Sequence, residues 1–463
     1  MQLKPEAYRA EPLVLMPHQE TLRDRLFNSV THLVHGDQGI GKTAIAITAM
    51  NKLVKAGRIY KPMLWVGPTS SVLNVSREVE KFGGIEGHSV RVIRKTADWA
   101  PARPGEVLVM SYDMMVRLLP ELARSMFSIF VLDEVQFCKN PRTKRTKAVF
   151  GHLSRPGLAA HADFFWAMSG TPAPNHFGEL YPFLREAGLA SVSYDTFVRR
   201  HCRIREDRFG YKIVGNNRPA IDQLMGNASE VYSRIRKSEV LTDLPPITFN
   251  NVQVSGDRTM RKQLAAIEDG LRPQIDALIK TIRYGETPPV EEVASLRRLT
   301  EIAKVGEAIE IVSAELSDRA INKIVIFATH RDTIAALEEG LSKFGVRVIH
   351  GSVSVAKRQR AIDDFQDDPT VRVFVGQTVA AGTAITLHAN GACQDVLFVS
   401  ADWVPSNNAQ AVARVHRKGQ IGNVHARFLH LENSIDEAVQ RAVMHKTRML
   451  SEIFKDERSH HAA

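Results

Sequence analysis

The sequence has few cysteines, no long apolar run and no leader pattern at its start. Only three cysteines occur in 463 residues, Cys138, Cys202 and Cys393, and none belongs to a CxxC pair. This scarcity argues against a disulfide framework or a zinc module and is typical of a reducing cytoplasm. No apolar run reaches the roughly eighteen residues that a membrane span needs. The opening residues, MQLKPEAYRAEP, lack the basic-then-apolar order of a signal peptide. We therefore expect a cytoplasmic protein without a membrane partner.

Basic residues outnumber acidic residues, and the histidines show no metal-binding spacing. Lys and Arg total 61 against 51 for Asp and Glu, which gives a formal net charge of +10. A basic excess favours a polyanionic partner, and nucleic acid fits better than a membrane because no basic amphipathic helix stands out. A basic enzyme that binds no polyanion is the alternative. The seventeen histidines contain no H-E-x-x-H pattern, so we expect them to be structural or surface groups.

Short apolar runs alternate with helix-like stretches in both halves of the chain. Continuous apolar strands are typical of a parallel sheet that is buried on both faces. Their alternation with helices predicts an α/β fold with two doubly wound parallel-sheet lobes. Two of the helix-like stretches, 43–56 and 331–344, end at a glycine. The predicted strands are 31–35, 63–66, 107–110, 129–132, 164–168, 324–328, 346–349, 371–375, 396–399 and 426–429.

The middle of the chain, from about residue 191 to 320, has a different character. It is rich in arginine and helix-like, and Pro245 and Pro246 mark a break within it. We expect an N-terminal lobe over 1–245, with a helical, arginine-rich insertion from about 191. The C-terminal lobe then covers 246–463, preceded by a helical linker that runs to about 320.

A glycine-rich loop lies between the first predicted strand and the helix that follows it. Residues 36–43, GDQGIGKT, fit G-x-x-x-x-G-K-S/T at every fixed position. Gly36, Gly39 and Gly41 let backbone N–H groups turn towards phosphate oxygens, and the helix N-terminus adds its positive end. Lys42 would reach the β- and γ-phosphates of ATP, and the Thr43 hydroxyl would help to hold Mg²⁺. A chance glycine-rich turn is the alternative.

Two adjacent carboxylates follow the predicted strand 129–132. Asp133 is suited to bind Mg²⁺ through water, and Glu134 is suited to orient and deprotonate an attacking water. Acidic residues at a strand end can also serve as mere capping groups. The phosphate loop upstream favours a nucleotide site with ATP and Mg²⁺ as its cofactors.

These segments and others resemble helicase superfamily 2, specifically its Swi/Snf-type branch of DNA translocases. The resemblance extends from about residue 15 to 450. Its most specific part is Asp402-Trp403-Val404-Pro405, which is similar to D-W-N-P. The segment QAVARVHRKGQ at 410–420 follows and is similar to Q-A-x-D-R-x-H-R-x-G-Q. The segments 197–202 and 234–244 are similar to the fork-remodelling, strand-annealing members. Other matching segments are Pro17-His18-Gln19, GDQGIGKT at 36–43, Gly67-Pro68-Thr69-Ser70, Ser111-Tyr112-Asp113, Asp133-Glu134-Val135-Gln136 with Lys139-Asn140-Pro141, and Ser169-Gly170-Thr171-Pro172.

The resemblance implies two RecA-like lobes that close on ATP, and it implies roles for particular residues. Gln19 would contact adenine, and Gly382 would belong to the nucleotide site. Gln410, Arg414 and Arg417 would act in catalysis from the second lobe, while Gln136, Ser169 and Thr171 would couple hydrolysis to movement. Thr69, Tyr112, Thr378 and Trp403 would contact nucleic acid, although packing within the protein is the alternative for Trp403. Two departures, Ala384 for the usual glycine and Ala413 for the usual aspartate, bear on the strength of coupling.

A run of basic residues follows the two carboxylates. It contains Arg142, Lys144 and Arg145, flanked by Lys139 and Lys147, and it has no acid. It lies just past the strand that ends in Asp133, where ligands of open α/β sheets gather. We expect it to contact DNA phosphates without sequence preference. A solvated loop is the alternative.

Together these features predict a monomeric, DNA-stimulated ATPase that translocates on duplex or forked DNA and remodels DNA or protein–DNA complexes. A strand-separating helicase on DNA or RNA is the first alternative. A nucleic-acid-binding module with a decayed ATPase is the second, and the intact Lys42, Asp133, Glu134, Arg414 and Arg417 count against it.

Overall fold

The computed structural model describes residues 14–152, 155–208, 210–276, 279, 291–378 and 385–443. The chain forms two compact units. The first consists of residues up to Ala173 together with Phe177–His201 and Pro219–Val240, and the second of Pro174–His176, Cys202–Arg218 and the residues from Leu241 onward. Because the second unit takes in segments upstream of residue 245, the domain limits 1–245 and 246–463 stay predictions. No helix among the described residues is long and apolar enough to cross a membrane.

The first unit contains a parallel sheet whose described strands run in the order β3-β4-β2-β5-β6-β1-β9. Its central strands are apolar on both faces, as in the run of five buried residues in β2, because helices cover both sides of such a sheet. The strands are β1 (Thr31–Gly36), β2 (Met63–Gly67), β3 (Ser89–Ile93), β4 (Glu106–Ser111), β5 (Phe127–Asp133), β6 (Ala162–Ser169) and β9 (Tyr232–Ile235).

The helices of the first unit pack their apolar residues against this sheet. Leu22 and Leu26 of the first helix join Ile45 and Met50 of the second in one buried cluster with Trp166. The helices are α1 (Pro17–Asn28), α2 (Lys42–Lys55), α3 (Thr69–Lys81), α4 (Tyr112–Arg117), α5 (Leu119–Leu122), α6 (Lys144–Phe150), α7 (Tyr181–Glu186), α8 (Tyr194–His201), α9 (Arg218–Gly226) and α10 (Lys237–Val240).

The second unit contains another parallel sheet, in the order β10-β15-β14-β11-β13-β12. It also includes an antiparallel hairpin of β7 (Cys202–Asp207) and β8 (Gly210–Asn216). The sheet strands are β10 (Ile247–Val254), β11 (Lys323–Ala328), β12 (Val346–Ile349), β13 (Val373–Gln377), β14 (Cys393–Phe398) and β15 (Val424–Leu431). The described helices are α11 (Arg258–Gly270), α12 (Glu291–Ala303), α13 (Val305–Ser317), α14 (Arg331–Gly340), α15 (Val355–Asp367) and α16 (Pro405–Val412).

The prediction of two α/β lobes with parallel sheets is confirmed, and each of the ten predicted strands corresponds to a strand of the structure. The sequence analysis missed β3, β9 and β10 and the hairpin. The first three lie at sheet edges, where one side of the strand has no neighbour to bury it. Their polar and half-exposed residues, as in ITFNNVQV of β10, therefore lack the continuous apolar pattern that identifies a central strand. The middle of the chain, from about residue 191 to 320, contains the expected helices α8 to α13, together with strands β7 to β10.

Candidate active site

The phosphate loop connects the end of β1 to the start of α2, and two of its glycines have backbone angles that favour glycine. Gly39 and Gly41 have φ of 88° and 86°, in the left-handed region that side chains other than glycine rarely adopt. A Cβ on Gly41 would also lie 2.3 Å from Nε2 of Gln19, and one on Gly36 would lie 2.1 Å from Cδ1 of Ile40. The loop can therefore turn tightly at the helix N-terminus, where backbone N–H groups favour anions.

Gln19 of α1 is attached to this loop. Its Nε2 donates to the carbonyl oxygen of Ile40 over 2.9 Å, and its Oε1 accepts from the backbone N–H of Met16 over 3.0 Å. The side chain is buried, so both ends of the amide are satisfied inside the protein, as a buried polar group requires. The structure thus places Gln19 beside the loop, as a contact to a bound nucleotide needs.

Lys42 is the first residue of α2, and its ammonium group turns back over the loop. Nζ donates to the carbonyl oxygens of Gly36 and Asp37, over 2.7 and 3.2 Å. Thr43 follows it in the first turn of the helix. These positions put a cation and a hydroxyl at the helix N-terminus, which already carries a partial positive charge.

Asp133 ends β5 at the carboxyl edge of the sheet. The residue is neither fully buried nor fully exposed. Loss of hydration and the neighbouring Glu134 raise the pKa of Asp133, while Lys42 opposes the shift. Gly67 leaves room beside it, since a Cβ there would lie 3.4 Å from Cβ of Asp133 and 2.7 Å from Oγ of Ser71. A divalent cation would offset the cost of this carboxylate, which fits the Mg²⁺ role expected of Asp133. The Mg²⁺ role of Thr43 stays a prediction.

Glu134 has an unusual backbone conformation that its neighbours hold. Its φ of 57° and ψ of 58° are left-handed, which costs a non-glycine residue on the order of 1 kcal/mol or more. The hydroxyl of Tyr112 donates to the carbonyl oxygens of both Asp133 and Glu134, over 2.7 and 3.1 Å. Tyr112 is buried, with its ring stacked on Phe137 at 5.4 Å. The side chain of Tyr112 is therefore enclosed and fixes the turn of the two carboxylates, and its contact with nucleic acid stays a prediction.

The three residues assigned to coupling meet in one hydrogen-bonded chain that begins at Glu134. Gln136 donates through Nε2 to Oε2 of Glu134 over 2.7 Å. Oγ of Ser169 donates to Oε1 of Gln136 over 2.6 Å and accepts from the backbone N–H of Thr171 over 2.9 Å. Because β5 and β6 are adjacent in the sheet, the segments that follow them lie side by side. A displacement of the loop at 169–171 would therefore reach the carboxylate of Glu134.

In the second unit, the stretch from Asp402 to Gln420 is hydrogen-bonded to residues 385–387. Nη1 of Arg417 donates to the carbonyl oxygen of Ile385 and to Oγ1 of Thr386, over 3.1 and 2.8 Å. The carbonyl oxygen of Arg414 accepts from the backbone N–H of Leu387 over 2.8 Å. Gln410 lies half-buried on α16. The structure brings these three residues to one region of this unit, while Gly382 and Ala384 lie outside the described residues.

Two residues of the second unit that were expected to contact nucleic acid, Thr378 and Trp403, make contacts within the protein. Thr378 is buried, and its hydroxyl faces the carbonyl oxygen of Ala328 at 3.4 Å. Its contact with nucleic acid stays a prediction. Trp403 packs against an apolar cluster of this unit, with the guanidinium of Arg297 at 4.6 Å from its ring centroid. Its surroundings favour the packing alternative.

The basic segment after the carboxylates is only partly available to a ligand. Arg145 forms an ion pair with Asp113 at 2.8 Å, and Lys139 forms one with Glu179 at 3.0 Å. Arg142, Lys144 and Lys147 are exposed at and around the start of α6, and Thr69 is exposed at the start of α3. The three exposed cations therefore remain the best candidates for phosphate contacts.

The sequence analysis gave no role to Asp37 of the phosphate loop or to Arg234, which form an ion pair. Nη1 of Arg234 donates to Oδ1 of Asp37 over 2.9 Å across 197 positions of sequence. No spacing rule connects residues so far apart. The one available signal was that Arg234 opens a segment already singled out by the resemblance.

Comparison with protein families gives two matches. The family described as "SNF2-related domain" matches residues 22–264, which is more than half of the chain. The "Helicase conserved C-terminal domain" matches residues 307–419.

Several curated proteins are similar over most of the chain. The SWI/SNF-related matrix-associated actin-dependent regulator of chromatin subfamily A-like protein 1 homolog of Caenorhabditis elegans is 28% identical, over 91% of this chain and 59% of its own length. The DNA annealing helicase and endonuclease ZRANB3 of Homo sapiens is 25% identical, over 87% of this chain and 37% of its own. The chain thus spans between about a third and three fifths of these relatives. The Sulfolobus solfataricus SWI2/SNF2 ATPase core in complex with dsDNA is 21% identical, with a TM-score of 0.44, over 97% of this chain and 95% of that one.

Replacing Ser169 with alanine tests the hydrogen-bonded chain from Thr171 to Glu134. The variant loses the donor to Gln136 and the acceptor for the N–H of Thr171, so Glu134 is less firmly oriented. We expect kcat for ATP to fall by about ten- to a hundredfold while KM stays within a few-fold, because the change affects the reacting water and not nucleotide binding. Steady-state ATPase kinetics measure both constants.

Ser128→Ala is the matched control. Ser128 is equally buried on β5 and accepts the N–H groups of Tyr60 and Lys61, far along the strand from Glu134. It should lower thermal stability without lowering kcat. Equal kcat values for the Ser169 and Ser128 variants would show that the chain of contacts plays no part in turnover.

Proposed function

The chain belongs to the SNF2-related family, and we propose that it is a DNA-stimulated ATPase that translocates on duplex or forked DNA and remodels DNA or protein–DNA complexes. The observation that carries the proposal is the meeting of three groups at one edge of one sheet. These are the phosphate loop with Lys42, the carboxylates of Asp133 and Glu134, and the hydrogen-bonded chain through Ser169.

Each of these groups has a task in transferring the γ-phosphoryl group of ATP to water. The N–H groups of the loop and the ammonium of Lys42 would bind the β- and γ-phosphates. Glu134, held by Gln136, would orient the attacking water and accept its proton. Mg²⁺, bound by Thr43 and Asp133, would neutralise charge on the phosphate oxygens. Gln19 of α1, which is hydrogen-bonded to the loop at Ile40, would contact the base.

We assign the second unit a complementary part. Arg414 and Arg417 would stabilise the negative charge that develops on the γ-phosphate, an effect of about 10³–10⁵ in rate where such arginines are supplied to a phosphoryl-transfer site. Because Lys42 and Glu134 belong to the first unit, hydrolysis would then require the two units to close on the nucleotide. Reopening after phosphate release would provide a step along DNA.

The DNA partner is inferred from charge and from the relatives. The net charge is +10, and three exposed cations lie near the carboxyl edge that bears the catalytic groups. One relative is named a DNA annealing helicase and endonuclease, and the present chain corresponds to only part of it. We therefore propose DNA as the activating ligand and extend no nuclease activity to this chain. A strand-displacement assay separates translocation, which leaves the duplex paired, from unwinding.

Glu134→Gln tests the proposed hydrolysis. The amide cannot accept a proton, so turnover should fall by at least about a hundredfold, while ATP still binds because the phosphate loop is intact. ATPase rates, measured with no nucleic acid, single strands, duplex, forked DNA and RNA, give the turnover and its activation. Glu186→Gln, a change of the same type at the end of α7, should leave every rate unchanged. Hydrolysis by Glu134→Gln at the wild-type rate would remove this glutamate from the mechanism.

Reversing the charge of Arg142, Lys144 and Lys147 to glutamate tests the proposed DNA contact. DNA binding that relies on phosphates weakens with each lost cation and with salt. We expect the DNA concentration for half-maximal stimulation to rise by about tenfold or more, with the basal ATPase unchanged.

A second triple variant controls for the change in net charge. Lys55, Arg103 and Arg124 are equally exposed and lie towards the opposite edge of the same sheet, where the strands begin. Their reversal to glutamate should shift the half-maximal concentration far less. If the two triple variants behave alike, the DNA contact lies elsewhere.

A further inference from the structure

Edge strand β9 of the first sheet continues directly into contact with the phosphate loop. It pairs with β1 in a register that places Arg234 opposite His35 and Ile235 opposite Gly36. The backbone N–H of Asp37 then donates to the carbonyl oxygen of Ile235 over 3.2 Å. The strand ladder therefore extends into the first two residues of the loop.

The side chain of Asp37 is held by the same segment at both oxygens. Oδ1 accepts from Nη1 of Arg234 and Oδ2 accepts from the backbone N–H of Lys237, each over 2.9 Å. The side chains of Arg234 and Asp37 are 19% and 33% exposed. An ion pair that is largely shielded from water and has hydrogen bonds at both carboxylate oxygens fixes geometry more firmly than an exposed pair.

The backbone of Asp37 faces the functional lysine. Its carbonyl oxygen and that of Gly36 accept the two hydrogen bonds from Nζ of Lys42. Anything that rotates the Asp37 peptide therefore moves the groups that surround Lys42. Asp37 thus contacts Arg234 and Lys237 through its side chain and Lys42 through its backbone carbonyl.

His35 makes a second connection between β9 and the site. Its Nδ1 lies 2.5 Å from the hydroxyl of Tyr232, and its ring also hydrogen-bonds to the backbone of Gly170. Burial, with Arg234 and Lys42 nearby, lowers the pKa of His35 well below its ordinary value, so the ring is neutral at pH 7. Gly170 lies between Ser169 and Thr171, which both belong to the series of hydrogen bonds that reaches Glu134.

We propose that Arg234 is a positioning residue of the ATP site, which acts through Asp37 to hold the first turn of the phosphate loop. The inference rests on the proposed function in that the loop is taken to bind ATP. Residues 232–237 also lie close in sequence to a connection between the two units, because the chain passes from the first unit into the second between Val240 and Leu241. Tension on that connection would be transmitted to Asp37 and so to the loop around Lys42.

Arg234→Gln, compared with Arg25→Gln, tests the proposal. Arg25 of α1 donates to the carbonyl oxygen of Ser229 and to Oγ of Ser233, so it attaches the same stretch of chain without contacting the loop. Arg234→Gln should raise KM for ATP by about five- to tenfold and lower kcat by less than about threefold. Backbone hydrogen exchange over residues 36–43, measured without nucleotide, should also accelerate. The Arg25 variant should leave KM and loop exchange at their wild-type values.

A double-mutant cycle with Asp37→Asn identifies the partner through which Arg234 acts. If Arg234 works through Asp37, KM of the double variant should be no higher than that of Asp37→Asn alone, and Arg234→Lys should recover part of the affinity. The proposal would be overturned if the effects of the two substitutions on KM multiply in the double variant. It would also be overturned if residues 36–43 exchange at the same rate in Arg234→Gln and in Arg25→Gln. Because loop exchange needs no ATP, it decides this inference even if the wild-type protein hydrolyses no ATP, a result that would contradict the proposed function alone.

Discussion

The structure depends on bringing a lysine and two carboxylates together at the carboxyl edge of one sheet. Asp133 is there only partly hydrated and has Glu134 as its neighbour, so its negative charge is unfavourable unless cations lie close. Lys42 supplies one positive charge, and a metal ion held with Thr43 would supply more. Gly67 keeps the space beside Asp133 open, because a Cβ there would lie 3.4 Å from Cβ of Asp133. The parallel sheet makes the meeting possible by ending its strands at one edge.

A second constraint follows from the first. Two consecutive carboxylates on a regular strand would point to opposite faces of the sheet, so the chain must turn sharply after Asp133. Glu134 adopts left-handed backbone angles to make that turn, and the buried hydroxyl of Tyr112 secures both carbonyl oxygens. The strained residue, Glu134, is also the one that accepts a hydrogen bond from Gln136, and Gln136 in turn accepts one from Ser169. The orientation of Glu134 is for this reason sensitive to the segment after β6.

The sequence predicted those parts of the molecule that rely on local pattern. Central strands appeared as apolar runs, and the phosphate loop appeared through glycines spaced around Lys42. Edge strand β9 did not, because its residues, YSRI, contain no continuous apolar run and three of the four are only half-buried. Tyr112 was assigned to nucleic acid by the position of its motif, whereas its burial depends on packing against Phe137, which no local pattern records. The pairing of Asp37 with Arg234 joins positions 197 apart, and only the folded sheet brings them together.

The central claim is that turnover needs cations of the second unit in addition to the phosphate loop of the first. Arg417→Ala tests it most directly, with Arg347→Ala, which removes a half-exposed ion pair with Asp364, as the control in the same unit. The account predicts that Arg417→Ala binds ATP within a few-fold of the wild-type affinity while DNA-stimulated kcat falls by about 10³ or more. Arg417→Lys should recover little of that rate, because an ammonium lacks the planar fork of the guanidinium. Normal DNA-stimulated hydrolysis by Arg417→Ala would contradict the account.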